Sequence, residues 1–304
     1  MNTSANTVPE IPTAQVERGT AVRPFLWSVR REIWENRSIY IVPAVSATVL
    51  VVGHLVGTMI LRLRMHGAWP SDPVQLHKLL GVHYEMAAAV IMGGAFLVGI
   101  FYSLDALYGE RRDRSILFWK SMPVSDLSTV LAKVTIPLAI LPLLSFVVTL
   151  VTQLVMLLLS TLLLLGSGLS VGVLWSHSSL FHFPVMLLYH IVTVHGLWYA
   201  PIYGWLFFVS AWAPRAPFVW AFLPPFLIGG VETAVFNSRH FFNLLLNRLT
   251  GPEAPAPPES SMMDIMASLG PLRFFSEPGL WIGLAIAAAF LFAAVQLRRH
   301  RGPI

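Results

Sequence analysis

The chain has 304 residues, of which 56% are hydrophobic and 12% charged, with a mean hydropathy of +0.69. Soluble domains carry roughly 25% charged residues, so the sequence lacks the polar surface of a water-soluble protein and reads as an all-α integral membrane protein. The formal net charge of +5 comes from basic residues gathered at the ends of apolar runs, a membrane pattern that argues against nucleic-acid binding. The chain contains no cysteine, which excludes disulfides, thiolate chemistry and Cys-ligated metals within it.

Residues 1–22 read as a disordered, solvated tail, with no apolar core of the kind a cleavable signal peptide needs. From Pro24 the sequence PFLWSVRREIWENRS mixes aromatic and basic residues, which suits a helix lying in the membrane interface. A first span is expected over about 39–61, with His54 as its strongly polar member, followed by a polar loop over 62–85. A second span over about 86–107 contains Gly93, Gly94 and Gly99, small residues that permit close helix approach.

The loop 108–134 carries Arg111, Arg112, Arg114, Lys120 and Lys133 against Glu110, Asp113 and Asp126. A charged segment between two spans must lie in water, and an Arg-rich one lies on the cytoplasmic side. Ile116, Leu117 and Trp119 are apolar residues that neither span needs. A short helix opened by Ser115 as N-cap and closed before Pro123 would present them to a partner.

Beyond the loop, 136–165 is apolar for thirty residues, roughly 45 Å of helix against a ~30 Å hydrocarbon core, so it should tilt or project. A fourth span is expected over about 183–212 and a tight turn at 212–217. A fifth span follows over about 218–236, kinked at Pro224 and Pro225. In 237–278 the hydrophobicity breaks. RHFFNLLLNRL (239–249) reads as an amphipathic helix, GPEAPAPPES as a turn region and SMMDIMASL (261–269) as a second short helix. The last span, about 280–297, ends in Arg298, Arg299 and Arg301. Fourteen of the 20 Lys and Arg residues then fall on the side of both termini and six on the other, so six spans with both termini in the cytoplasm are expected.

The order of residues in the loop carries further meaning. Glu110 and Arg111, a hydroxyl at Ser115, Ile116 and Leu117, then Pro123, Val124, Ser125 and finally Lys133 resemble the cytoplasmic loop of ABC type-2 permeases, the membrane subunits of one class of ABC exporters. The family usually has glycine before the hydroxyl residue, where this chain has Arg114. The six-span layout extends the resemblance over 23–301. It implies an ATPase-coupling role for Glu110, Arg111, Ser115, Ile116, Leu117, Trp119 and Pro123, a separate cytoplasmic ATP-binding subunit, and a second permease, either identical or related. It also implies a bacterial inner membrane and partly re-entrant helices in 237–278. The chain contains no GxxxxGK[ST], so no cofactor is expected in it, and ATP and Mg are expected on the partner ATPase.

Two features leave other readings open. His190 and His195, like His177 and His182, are five residues apart, about 140° around an α-helix. Such imidazoles could serve a haem- or metal-bearing membrane enzyme, or simply hydrogen-bond between packed helices. A passive membrane scaffold is the third reading. Glu232 is a carboxylate near the end of an apolar span. It either faces a transport pathway in the bundle interior or reaches the outer interface and is solvated.

Overall fold

The structure, a computed structural model, describes residues 22–64, 73–122, 124–165, 182–251 and 271–304. Residues 1–21, 65–72, Pro123, 166–181 (with His177) and 252–270, on which the expected turn region and the expected helix 261–269 fall, lie outside the described residues. Among those described the chain is helical and contains no strand. Five helices are long and apolar enough to cross a membrane, and a bent pair makes six if it counts as one span.

Helix α1 (Val22–Glu35) starts two residues before Pro24, which falls in the first turn where a missing N–H costs nothing. After a one-turn break the chain enters α2 (Ser38–Arg64). Helix α3 (Pro73–Ala106) is much longer than expected, because 73–85 continues it rather than forming a loop. Pro73 stands at its first position, where it favours initiation, and no Pro follows to stop the helix before Met86. The polarity of 73–85 therefore does not mark a helix end.

Three short elements follow: α4 (Tyr108–Arg112), α5 (Ser115–Ser121) and α6 (Asp126–Thr135). Through a π-helical turn at Ile136–Ile140, α6 runs into α7 (Leu141–Leu165). They include an apolar helical stretch of 37 residues, Asp126–Leu162, roughly 55 Å at 1.5 Å per residue.

The fourth apolar segment is not straight. Helix α8 (His182–His190), a π-helical stretch at Ile191–Trp198 and α9 (Ala200–Trp212) meet with a 43° bend at Tyr199. The π-stretch and Pro201 just after the bend are recognised causes of kinks. Helix α10 (Pro217–Phe236), by contrast, continues through Pro224 and Pro225 as one element. The amphipathic stretch forms α11 (His240–Thr250). A short α12 (Pro271–Ser276) and the terminal α13 (Pro278–His300) complete the chain.

Helices α2, α3 and α7 pack on one another, while α9 packs against α3 and, most extensively, against α13. Gly204 makes that last approach possible, since a Cβ there would stand 3.2 Å from the backbone of Ala287. Of the three glycines singled out in the second span, Gly94 faces Val42 and Gly99 faces the Tyr203 ring, whereas Gly93 meets nothing. Helix α10 is peripheral, with Phe226, Leu227, Ile228 and Val231 all exposed. An apolar surface on this scale is rare on soluble monomers and fits hydrocarbon or another apolar partner. Within the apolar helices, Thr48, Thr58, Ser103, Ser145 and Thr152 donate their hydroxyls to carbonyls one turn back. A buried hydroxyl thereby finds a partner without water.

Candidate functional site

The loop between α3 and α7 is built from the end of α9 outward. Ser210 on α9 accepts the backbone N–H groups of Leu107 and Tyr108 at 3.0 and 2.9 Å, capping the α3–α4 junction. Arg111 donates to the carbonyls of Ser210 (2.9 Å) and Ala213 (2.6 Å), and Arg301 donates to that of Trp212. Two guanidinium groups thus satisfy carbonyls that a helix C-terminus would leave orphaned. Lys120 donates to the carbonyls of Arg299 and Arg301, and the N–H of Ile304 to that of Arg111. The C-terminal residues are tied onto the loop.

Under this layer lies a chain of alternating charges. Glu32 on α1 accepts from Arg31 (2.7 Å), from Lys133 on α6 (2.9 Å) and from the Tyr102 hydroxyl on α3 (2.9 Å). Lys133 also stands 3.3 Å from Glu110 on α4, and Glu110 is 3.1 Å from Arg298 on α13. Arg298 pairs in turn with Asp126 on α6. Glu32, Lys133, Glu110 and Arg298 are each between 2% and 7% exposed. Removing one member of such a network strands a partner charge in a low-dielectric setting, which is costly. Helices α1, α4, α6 and α13 are therefore held together by groups that cannot separate cheaply.

Burial alone would raise the Glu32 pKa. The Lys133 ammonium and Arg31 outweigh it and hold the carboxylate below its ordinary value of 4.5. A depressed carboxylate stabilises the fold fully above its unfolded pKa and loses that contribution as pH falls through the lower, folded value. Thermal stability should therefore decline as pH drops below 4.5. A melting series from about pH 7 to about pH 3.5 on the native chain and on Glu32→Gln checks this, the variant being expected to show the shallower decline.

Helix α5 stands out from this base. Ser115 is not its N-cap: Arg114 occupies that position at φ 58°, ψ 7°, and the Ser115 hydroxyl reaches back to the Glu110 carbonyl at 3.4 Å. The left-handed conformation costs roughly 1–2 kcal/mol in a non-glycine residue. It is the conformation a glycine adopts freely. Arg114→Gly should leave the melting temperature unchanged or raise it by the equivalent of up to about 1 kcal/mol, whereas Arg114→Val should lower it by about 1–2 kcal/mol.

The apolar residues of α5 divide. Ile116 is buried and anchors the helix, so it is not presented outward as expected. Trp119 is half-buried, with the Arg31 guanidinium 3.6 Å above its ring. Leu117 and Phe118 are 58% and 59% exposed. Phe118, between Leu117 and Trp119, is thus the second outward-facing apolar residue, where the sequence points to Ile116 and Trp119. Glu110 and Arg111 are interior struts rather than surface groups, and Pro123 lies outside the described residues. Ser125 caps α6 by accepting the Ser128 N–H at 3.1 Å.

Glu232 is engaged elsewhere. Its carboxylate accepts the backbone N–H groups of His240 (3.0 Å) and Phe241 (2.9 Å) at the start of α11, and the Ser238 hydroxyl at 2.8 Å. It caps a helix from a distance, a role that needs neither a pathway nor free solvation. His54 hydrogen-bonds Ser160 across α2 and α7 at 2.9 Å. His190 and His195 differ from expectation: their rings meet edge-on with centroids 5.6 Å apart. The segment between them is π-helical, and i→i+5 bonding brings residues five apart towards one face. Among the described residues no group of three or more His, Cys, Asp or Glu gathers as a metal site. Comparison with family models, with curated proteins and with solved structures finds no match to the chain.

Proposed function

We propose that the chain is the membrane-spanning permease subunit of an ATP-driven exporter, coupled through α5 to a separate cytoplasmic ATP-binding subunit. One observation carries the reading: an exposed Leu117–Phe118 pair sits on a short helix that directly follows α4, whose Glu110 is joined by ion pairs to α6 and α13 and through Lys133 to α1. A force applied at α5 would be passed to the start of α7 and the end of α13 together. Such elements move as a rigid unit, because separating them would expose or strand buried charge. A partner that engages α5 differently in its ATP-bound and ATP-free forms would shift the balance between two arrangements of the bundle. ATP and Mg would be held by that partner.

The five long apolar helices and the bent pair support six spans, with both termini and α4–α6 on the cytoplasmic side by the distribution of Lys and Arg. Single cysteines at Ser121 and Ser260 of this cysteine-free chain should then react with an impermeant thiol reagent from opposite sides of sealed membranes. Reaction from the same side would rule out this layout. The functional reading itself is tested by ATP turnover in the complex that the tagged chain forms in its own membrane.

A further inference from the structure

A pocket of about 380 Å³ opens between α1 and the α5–α6 segment, with Trp27, Arg30, Trp34, Trp119 and Met122 in its walls. Helix α1, which forms one wall, is followed directly by the first span in the chain, and Leu26, Trp27 and Trp34 of α1 are exposed. Aromatic rings of this kind settle at the level of lipid headgroups.

The charges around the pocket do not cancel. Glu32 at its floor is paired with Lys133 and Arg31, and Arg31 also approaches Glu35 at 3.5 Å. Arg30 makes no ion pair among the described residues: its guanidinium lies 5.4 Å from the Trp27 ring centroid and 4.5 Å from that of Trp34. A guanidinium stacked on aromatic faces keeps its N–H groups available, and its planar fork matches phosphate oxygens. The surplus cation, the aromatic and apolar walls and the exposed rings of α1 suit a molecule with an anionic head and an apolar body.

We propose that this pocket binds the headgroup of an anionic phospholipid of the cytoplasmic leaflet, with Arg30 as the phosphate ligand and Trp27, Trp34 and Met122 against the glycerol and upper acyl region. The site requires α1 to lie at the membrane surface but requires no ATPase, so its failure would leave the exporter reading standing.

The test is a lipid titration of the purified full chain in detergent, followed by native mass spectrometry, with phosphatidylglycerol and phosphatidylcholine of matched acyl chains. The native chain should retain phosphatidylglycerol in preference to phosphatidylcholine. Arg30→Gln should weaken phosphatidylglycerol binding about fivefold and Arg30→Glu about twentyfold or more, and the preference over phosphatidylcholine, whose choline cation offsets the same phosphate, should narrow. Arg299→Gln, at an exposed arginine outside the pocket, should change neither. Equal retention of the two lipids by the native chain would overturn the proposal. So would a loss in Arg299→Gln as large as in Arg30→Gln, because the attraction would then be diffuse.

Discussion

Glu110→Ala should lower the stability of the isolated chain by about 3 kcal/mol or more, without any partner present. Glu110 is buried between Lys133 and Arg298, at 3.3 and 3.1 Å. Its removal leaves both cations in the interior with one acidic partner each, Glu32 and Asp126. Those remaining pairs keep the loss towards the lower part of the range for a broken buried pair. Arg298→Met should soften the effect, because a double variant removes one of the two under-paired cations along with the carboxylate. The two single losses should exceed the double loss by at least about 1 kcal/mol. By contrast Asp113→Ala, which removes an exposed partner of Arg112, should leave stability nearly unchanged. Thermal unfolding of the four variants in one detergent reads all of these. A Glu110→Ala loss no larger than that of Asp113→Ala would mean that the network does not hold the loop.

How much of this was legible in the sequence depends on how far apart the cooperating residues are. Apolar runs, terminal arginines and the amphipathic pattern of 239–249 are local signals, and they located the long helices and α11. The charge network is not local. Lys133 and Glu32 are separated by 101 residues, and Arg298 and Glu110 by 188. Arg298 therefore read as a topology signal, and Glu32 as one charge on an interfacial helix. The exposed face of α5 was misjudged by one residue, since a seven-residue helix offers no periodicity from which to tell Ile116 from Phe118. The start of α3 was missed because polar residues after Pro73 looked like a loop, although nothing among them breaks a helix. The His190–His195 contact depended on a π-helical segment, and α-helical spacing placed the two rings apart. Glu232 reads as an acid near the end of a span, but its partners are the Ser238 hydroxyl and two backbone N–H groups beyond the helix end, and the backbone groups are not announced by side-chain chemistry.

Leu117→Ser combined with Phe118→Ser should abolish most partner binding while leaving the fold intact. Both side chains are more than half exposed, so their loss removes little from the interior. Burying each against a partner would contribute about 1.5–3 kcal/mol. Losing both should weaken association by a few kcal/mol, on the order of a hundredfold or more. The melting temperature of the isolated chain should move little, in contrast to Glu110→Ala. That contrast separates the contact surface of the loop from its support.

The most direct measurement is ATP turnover by the complex that the tagged chain brings out of its own membrane, compared with the Leu117→Ser, Phe118→Ser variant at equal amounts of folded chain. The account predicts turnover with the native chain and, at concentrations below saturation, a loss on the order of a hundredfold with the variant. No ATP turnover with the native chain, or equal turnover with both, would contradict it.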